Sequence, residues 1–229
     1  MSIIKEHARR VGALFLIDAC QSVPHQPINV KELHCDFLAF STHKMFGPTG
    51  LGVLYMKKDI FNKVPPYEVG GGTVFESDYY EAVYLPAPYK YEAGTPPIAQ
   101  VIGFGAALDF IQQHIDFDAL RIHEARLCAL LLDGLSSIPG VVILGSIDEL
   151  RTHGHLVTIT INGVHPHDVA GFLSHHNVCV RAGHFCVQPL FKKWGIDGAV
   201  RISFAAYSDE QEVHAVVSAL HDLVSQFNI

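Results

Sequence analysis

Clusters of positive charge are absent from this 229-residue sequence. It has 16 Lys and Arg residues against 23 Asp and Glu residues, which gives a formal net charge of -7, and the basic residues are scattered. A protein that binds nucleic acid or an anionic membrane usually carries a basic patch. The sequence therefore predicts neither nucleic acid nor a membrane surface as a partner.

A long apolar run is absent as well. The first such run, Val11 to Ile17, stops at Asp18, whereas a membrane-spanning helix needs about 20 apolar residues. The segment before it, Met1 to Arg10, is charged and is predicted to be a helix. We therefore expect neither a signal peptide nor a transmembrane helix.

Disulfide and metal patterns are also lacking. The five cysteines are odd in number, widely spread and never in a C-x-x-C pair, which is typical of a reducing compartment and predicts a cytoplasmic protein. Two histidine pairs have no third or fourth Cys, His, Asp or Glu at zinc spacing, so no metal site is predicted. These pairs are His153 with His155 and His165 with His167.

The apolar residues that are present indicate an α/β fold. Apolar residues make up 49% of the chain and charged residues 17%, which fits a folded globular protein. Short apolar runs at 14–17, 37–40 and 52–55 are typical of parallel strands buried on both faces. The stretch 64–97 is rich in Gly and Pro and is predicted to be mostly loop. A helix at 98–113 follows it.

The C-terminal half has the pattern of a small α+β domain. A helix begins near Phe117, another opens at Pro166, and a capping box of Ser208 and Gln211 precedes the last one. The predicted strands lie at 141–144, 156–161, 178–180 and 200–205. We expect a partial large domain with a mostly parallel sheet at 1–112 and the small domain at 113–229.

Two side chains suited to catalysis or ligand binding follow neighbouring strands. Asp18 ends the first strand, and Lys44 follows the second. Ligands of open α/β sheets bind outside the carboxyl ends of the strands, so this carboxylate and lysine can face one ligand. The pair suggests pyridoxal 5'-phosphate (PLP), because the lysine would hold its aldehyde and the carboxylate would keep its ring nitrogen protonated. Alternatively, Asp18 is a helix cap and Lys44 is solvated surface.

A further candidate centre follows the predicted strand at 178–180. Cys186 lies there with Arg181 and His184 nearby, a setting that favours the thiolate and predicts a nucleophile. The alternative is a small core residue, because free cysteines are among the most buried residues. The remaining cysteines are predicted to be core residues, namely Cys20, Cys35, Cys128 and Cys179.

Two other patterns have simpler interpretations. The glycines at 47, 50 and 52 lack the Gly-Lys-Ser/Thr of a P-loop and predict a turn between strands. Several tyrosines lack interleaved basic residues and are expected to cover a dimer interface rather than to stack on bases. They are Tyr79, Tyr80, Tyr84 and Tyr89.

Four ordered segments together resemble the cysteine desulfurases of the SufS type, in the class V branch of the fold type I PLP enzymes. The segments are 18–25 (DACQSVPH), 41–52 (STHKMFGPTGLG), 91–96 (YEAGTP) and 181–186 (RAGHFC). The resemblance runs over nearly the whole chain. It implies conversion of L-cysteine to L-alanine, with the sulfur held as a persulfide and passed to an acceptor protein for iron-sulfur cluster assembly.

The resemblance also implies a role for each matching residue. Lys44 would hold PLP and move the Cα proton, and Cys186 would take the sulfur with His184 beside it. Arg201 would bind the substrate carboxylate as a bidentate fork, with Arg181 nearby. The remaining cofactor contacts would come from Asp18, Gln21, Ser41, His43 and, toward the partner subunit of a homodimer, Thr95.

Some features depart from the family pattern. Family members are roughly twice as long, so the resemblance implies that the N-terminal half is absent and would have to be supplied separately. Thr42 lies inside the lysine motif, and Phe185 stands where a histidine is commoner. Two alternatives follow: a selenocysteine lyase, or an inactive truncated remnant that serves as an interaction module built on residues 113–229.

Overall fold

The chain divides into two compact units at the junction of Ile115 and Asp116. A computed structural model describes residues 2–227, so Met1 of the predicted first helix lies outside the described residues. Each unit has helices and its own sheet, which gives a mixed α/β protein. The sequence-based boundary, between residues 112 and 113, lies slightly earlier in the chain.

The first unit contains a three-stranded sheet and a separate β-hairpin. Its elements are α1 (Ser2–Val11), β1 (Leu16–Asp18), α2 (Val30–Leu33), β2 (Phe37–Ser41), β3 (Gly52–Met56), β4 (Val74–Ser77), β5 (Ala82–Tyr84) and α3 (Ile98–His114). Short 3-10 turns occur at Thr42–Lys44, Lys58–Ile60 and Tyr89–Tyr91. The stretch predicted to be mostly loop therefore contains a hairpin, formed by β4 and β5.

The sheet of the first unit differs from expectation in direction and in burial. β1 pairs with β2 in parallel, but β3 pairs with β2 antiparallel, so the prediction of a third parallel strand was wrong. The prediction that these strands are buried on both faces was also wrong. Ile17 and Leu38 are buried, whereas Leu16 and Leu54 are each 56% exposed. The Phe40 ring packs on Phe104 of α3, with centroids 6.1 Å apart, so this helix helps to cover one face.

The second unit is a four-stranded antiparallel sheet with helices. Its elements are α4 (Phe117–Ser136), β6 (Val141–Leu144), α5 (Ile147–His153), β7 (Leu156–Ile161), α6 (Pro166–His175), β8 (Arg181–Gly183), α7 (Gln188–Trp194), β9 (Ala199–Ser203) and α8 (Glu210–Phe227). The strand order is β6-β7-β9-β8. The prediction of a strand at 178–180 is wrong, because the segment that pairs with β9 is Arg181–Gly183, directly after it.

A single apolar core holds the second unit together. β7 alternates between buried and half-buried residues, and α4 buries a row that includes Leu127 and Leu131. A Cβ added to Gly134 would lie 2.5 Å from a methyl carbon of Val217, so this glycine allows α4 and α8 to approach closely.

The last helix begins with a different cap from the one predicted. The N–H of Glu212 donates to the carboxylate of Asp209 at 2.9 Å, and the N–H of Asp209 donates to the carboxylate of Glu212 at 3.3 Å. This reciprocal pair is a capping box. It lies one residue beyond the predicted pair of Ser208 and Gln211, because the Ser208 hydroxyl instead accepts the N–H of Ala205.

Within residues 2–227, every helix is too short or too polar to span a bilayer.

Candidate functional site

The first group of candidate residues lies at the carboxyl edge of β1 and β2. Asp18 pairs in register with Ala39, so the parallel strands end side by side, with Ser41 at the end of β2. Lys44 is half-buried in the 3-10 turn that follows. His43 and Gln21 follow these strand ends closely in the sequence, and both residues are exposed. The fold thus brings the predicted acid and lysine to one edge of one sheet.

Asp18 is held in its ionised form. Its Oδ1 accepts the N–H of Cys20 at 3.0 Å, and hydrogen bonds from Cys20 hold the pKa of the Asp18 carboxyl below its usual value, with the charge of Lys44 lowering it further. A turn rather than a helix follows at 20–25, so the carboxylate caps a turn, and the alternative of a helix cap was wrong. The carboxylate is nevertheless exposed and can still bind a cation.

Thr42, a departure from the family pattern, organises the lysine segment. It is fully buried. Its hydroxyl lies within donating distance of the carbonyl oxygens of Pro48 at 2.7 Å and Leu51 at 3.1 Å. Its own carbonyl accepts the N–H groups of Met45 at 2.8 Å and Gly47 at 3.0 Å. These bonds close the 42–51 segment into a compact loop that fixes the backbone at Lys44.

Gly47 brings this loop against α3. A Cβ added there would lie 2.7 Å from Phe104 and 2.8 Å from the carbonyl oxygen of Thr42. No larger residue fits without displacing the loop or the helix. The glycine predicted to belong to a turn between strands is thus also a close-packing residue under the lysine segment.

Cys20 does not lie in the core as predicted. Its side chain is half-buried, and its Sγ is 3.7 Å from Ser41 Oγ. This contact links the turn after β1 to the end of β2. Thr95 is exposed in the turn before α3, where the neighbouring Gly94 donates its N–H to the carbonyl of Gly71 at 2.8 Å.

The second group of candidate residues belongs to the other unit and surrounds the loop between β8 and α7. Cys186 is exposed in this loop. Cys179, before β8, is also exposed, so the prediction that it is a core residue was wrong. Phe185 and Cys186 have φ values of +50° and +63°, a left-handed conformation that is uncommon for side chains with a Cβ. Nε2 of His184 lies 3.6 Å from a carboxylate oxygen of Asp197.

Arg201 lies in β9 beside this loop, opposite Arg181 of β8 in the strand register. Its Nε atom is buried and has no hydrogen-bond partner within the described part of the chain. Burial, together with the charge of Arg181, lowers the pKa of Arg201. An unpaired buried N–H next to a second cation is costly unless an anion binds. The arrangement is therefore suited to a carboxylate or another planar anion.

The family profile of the class V aminotransferases matches residues 1–216. The chain belongs to this family. It is 43% identical over 224 residues to a probable cysteine desulfurase of Halalkalibacterium halodurans, an alignment that covers 98% of this chain and 54% of that protein. The chain spans about half the length of the curated relatives it matches.

Solved structures of similar proteins support the class V fold. An apo cysteine desulfurase from Thermococcus onnurineus superposes with a TM-score of 0.90 at 38% identity, over 96% of this chain and 55% of that one. The cysteine desulfurase CsdA from Escherichia coli, in an S-sulfonic acid form, superposes with a TM-score of 0.89 at 33% identity, over 96% and 54%. The predicted partial PLP-transferase fold is thus confirmed.

Proposed function

We propose that this chain supplies the lysine, cysteine and carboxylate-binding groups of a SufS-type cysteine desulfurase. The reaction converts L-cysteine to L-alanine and holds the sulfur as a persulfide on Cys186. The observation that carries the proposal is the buried, unpartnered Nε of Arg201 next to the loop with the exposed Cys186. Membership of the class V family and the similarity to cysteine desulfurases support it.

The residues at the carboxyl edge of β1 and β2 suit PLP. Ionised Asp18 would pair with the ring nitrogen, and Lys44 would bond to the aldehyde carbon. Gln21 would contact the ring oxygen, and Ser41 with His43 would bind the phosphate. When bound, PLP withdraws electrons from the substrate and so makes its Cα proton acidic.

The protein side chains then have distinct tasks. Lys44 moves the proton at the substrate Cα, and Arg201 holds the substrate carboxylate, with Arg181 adding positive charge. Cys186 attacks the substrate sulfur as a thiolate, so that an S–S bond forms and the substrate C–S bond breaks. The two products, alanine and the Cys186 persulfide, together contain all the atoms of the substrate L-cysteine and of the Cys186 thiol. His184 is the nearby group that can carry a proton.

The SufS-type assignment is supported by two local features. The cysteine motif is Arg-x-Gly-His-x-Cys, and the segment 70–89 forms the hairpin of β4 and β5. Tyr79 and Tyr80 are almost completely exposed near this hairpin. We assign these tyrosines and Thr95 to the interface of a homodimer. A cytoplasmic sulfur acceptor for iron-sulfur cluster assembly completes the proposal.

The cofactor site is tested with the purified chain and added PLP. We expect a visible absorbance band that borohydride removes while adding the cofactor mass to the peptide that contains Lys44. Lys44→Ala should lose the band, and the control Lys58→Ala, at an exposed position, should keep it. The band should strengthen when the N-terminal half of a relative is supplied. A band that does not depend on Lys44 would contradict the assignment.

The sulfur site is tested by alanine and sulfide release from L-cysteine under reductant. Cys186→Ser should abolish sulfide release and keep the absorbance band. Cys179→Ser is the matched control, because this thiol is also exposed in the same unit. Sulfide release that survives Cys186→Ser would show that another group takes the sulfur. Alanine formation from L-selenocysteine without Cys186 would favour a selenocysteine lyase.

A further inference from the structure

The Phe185 ring lies between the candidate carboxylate-binding arginine and the core. The Cζ atom of Arg201 is 5.3 Å from the centroid of the Phe185 ring, which is within the range of a cation–π interaction. The same ring meets Phe191 edge to face, with centroids 5.9 Å apart and an interplanar angle of 87°. Phe191 is only 3% exposed. Phe185 therefore joins the guanidinium to a fixed, buried ring.

Arg201 needs such a support because no carboxylate holds it. Within residues 2–227 its guanidinium has no ion pair and its Nε has no partner, and the like charge of Arg181 lowers its pKa in addition to burial. An arginine side chain has several rotatable bonds and, without an anchor, samples many positions. An aromatic face fixes the guanidinium plane without neutralising its charge or using its N–H donors.

The ring also belongs to the cysteine loop itself. Phe185 directly precedes Cys186, and both have positive φ values. His184, on the other side of Phe185, packs its ring on Phe191 as well, with centroids 5.9 Å apart. The loop is thus attached to one buried ring by two consecutive side chains. The contact between Phe185 and Arg201 therefore depends on the position of this loop.

We propose that Phe185 is a positioning residue, which aims Arg201 at the substrate carboxylate and couples this arginine to the position of the Cys186 loop. This inference rests on the proposed function and deepens it. A histidine at this position would lose part of the effect whenever it became protonated, because a second cation would face Arg201. Phenylalanine keeps the contact at every pH.

The variants separate the π face from apolar bulk. Phe185→Leu keeps the bulk and removes the face, whereas Phe185→Tyr keeps both and should restore the wild-type behaviour. Phe172→Leu is the matched control, because this phenylalanine belongs to the same unit and stacks on His176 instead. Urea unfolding followed by Trp194 fluorescence verifies that each variant is folded.

The direct measurement is the Nε–H signal of Arg201 in the ¹⁵N-labelled, PLP-loaded chain, assigned by its loss in Arg201→Lys. We expect a ring-current shift in the wild type and in Phe185→Tyr, and its loss in Phe185→Leu. Titration with acetate, with chloride as the salt control, should show a dissociation constant raised about 2- to 5-fold in Phe185→Leu. KM for L-cysteine should rise by a similar factor, with a smaller change in kcat.

The outcomes separate this inference from the proposed function. An unchanged Nε–H signal or unchanged acetate affinity in Phe185→Leu would refute the positioning role, and so would a tyrosine variant that behaves like leucine. Absence of the Lys44-dependent band would refute the cofactor assignment. The acetate titration of the chain without cofactor would still decide the role of Phe185, because Arg201 and Phe185 belong to the same unit.

Discussion

Replacing Thr42 with valine removes one hydroxyl from the loop that carries Lys44 and leaves its size almost unchanged. The carbonyl of Pro48 loses a donor at 2.7 Å, and that of Leu51 loses one at 3.1 Å while it keeps the N–H of Thr42 at 3.2 Å. A buried group that loses its partner costs about 1–3 kcal/mol. This free energy corresponds to a roughly 5- to 150-fold increase in the local opening equilibrium of the loop.

The assay is amide hydrogen exchange at Met45 and Gly47, whose N–H groups donate to the carbonyl of Thr42. Both amides should exchange faster in Thr42→Val by the factor given above, and less PLP should attach to Lys44. Thr42→Ser is the control, because it keeps the hydroxyl and removes one methyl group at a cost of about 0.8 kcal/mol, or roughly 4-fold. Exchange that is unchanged in the valine variant, or as fast in the serine variant as in the valine variant, would refute the role of the hydroxyl.

Two other predictions concern burial. Iodoacetamide at pH 8 should label Cys186 before Cys128, because Cys186 is exposed and burial raises the pKa of Cys128 to about 11. At pH 8 roughly one Cys128 side chain in a thousand is then a thiolate. Mass mapping that finds Cys128 labelled in the folded chain would contradict this prediction. Leu131→Ala should destabilise the second unit by about 2–5 kcal/mol, measured by urea unfolding through Trp194. Ile122→Ala, at a position 66% exposed in the same helix, should cost under about 1 kcal/mol, and equal losses would show that Leu131 is not a core contact.

Periodicity predicted the second unit well because its elements bury one face against a common core. The strands at 141–144 and 156–161 were found at the predicted positions. The strand before Cys186 was predicted at 178–180 because the residues there are apolar. The residues that form hydrogen bonds with β9 are instead those of β8, directly after this apolar stretch. Intrinsic β-propensity depends strongly on context, so composition alone is a weak guide to where an edge strand begins.

The direction of β3 could have been predicted from the chain length before it. Parallel strands need a crossover of a dozen or more residues, usually a helix. The 42–51 segment is shorter and contains only a 3-10 turn, so β3 has to return antiparallel to β2. An apolar run contains no information about strand direction, which explains the error.

The chemistry-bearing residues of the candidate site were predictable, but the residues that position them were not. Lys44 and Cys186 lie in the family motifs, and the resemblance adds Arg201, because their functional groups would touch cofactor or substrate. Thr42 and Phe185 stand inside the same segments, at positions that the motifs leave unspecified. A backbone carbonyl can be satisfied, or a guanidinium supported, by several residue types, so a motif does not specify which one is used.

This distinction has a physical consequence for the two loops. Each of these two residues acts through a buried contact, the Thr42 hydroxyl on backbone carbonyls and the Phe185 ring on Phe191. A buried contact tolerates little change of shape, because protein interiors are close-packed. Exchanging Thr42 or Phe185 for the residue of a relative should therefore succeed only when its buried neighbours are exchanged as well. Double-mutant cycles of Phe185 with Phe191 should accordingly show non-additive losses of stability, and additive losses would mean that the two rings act independently.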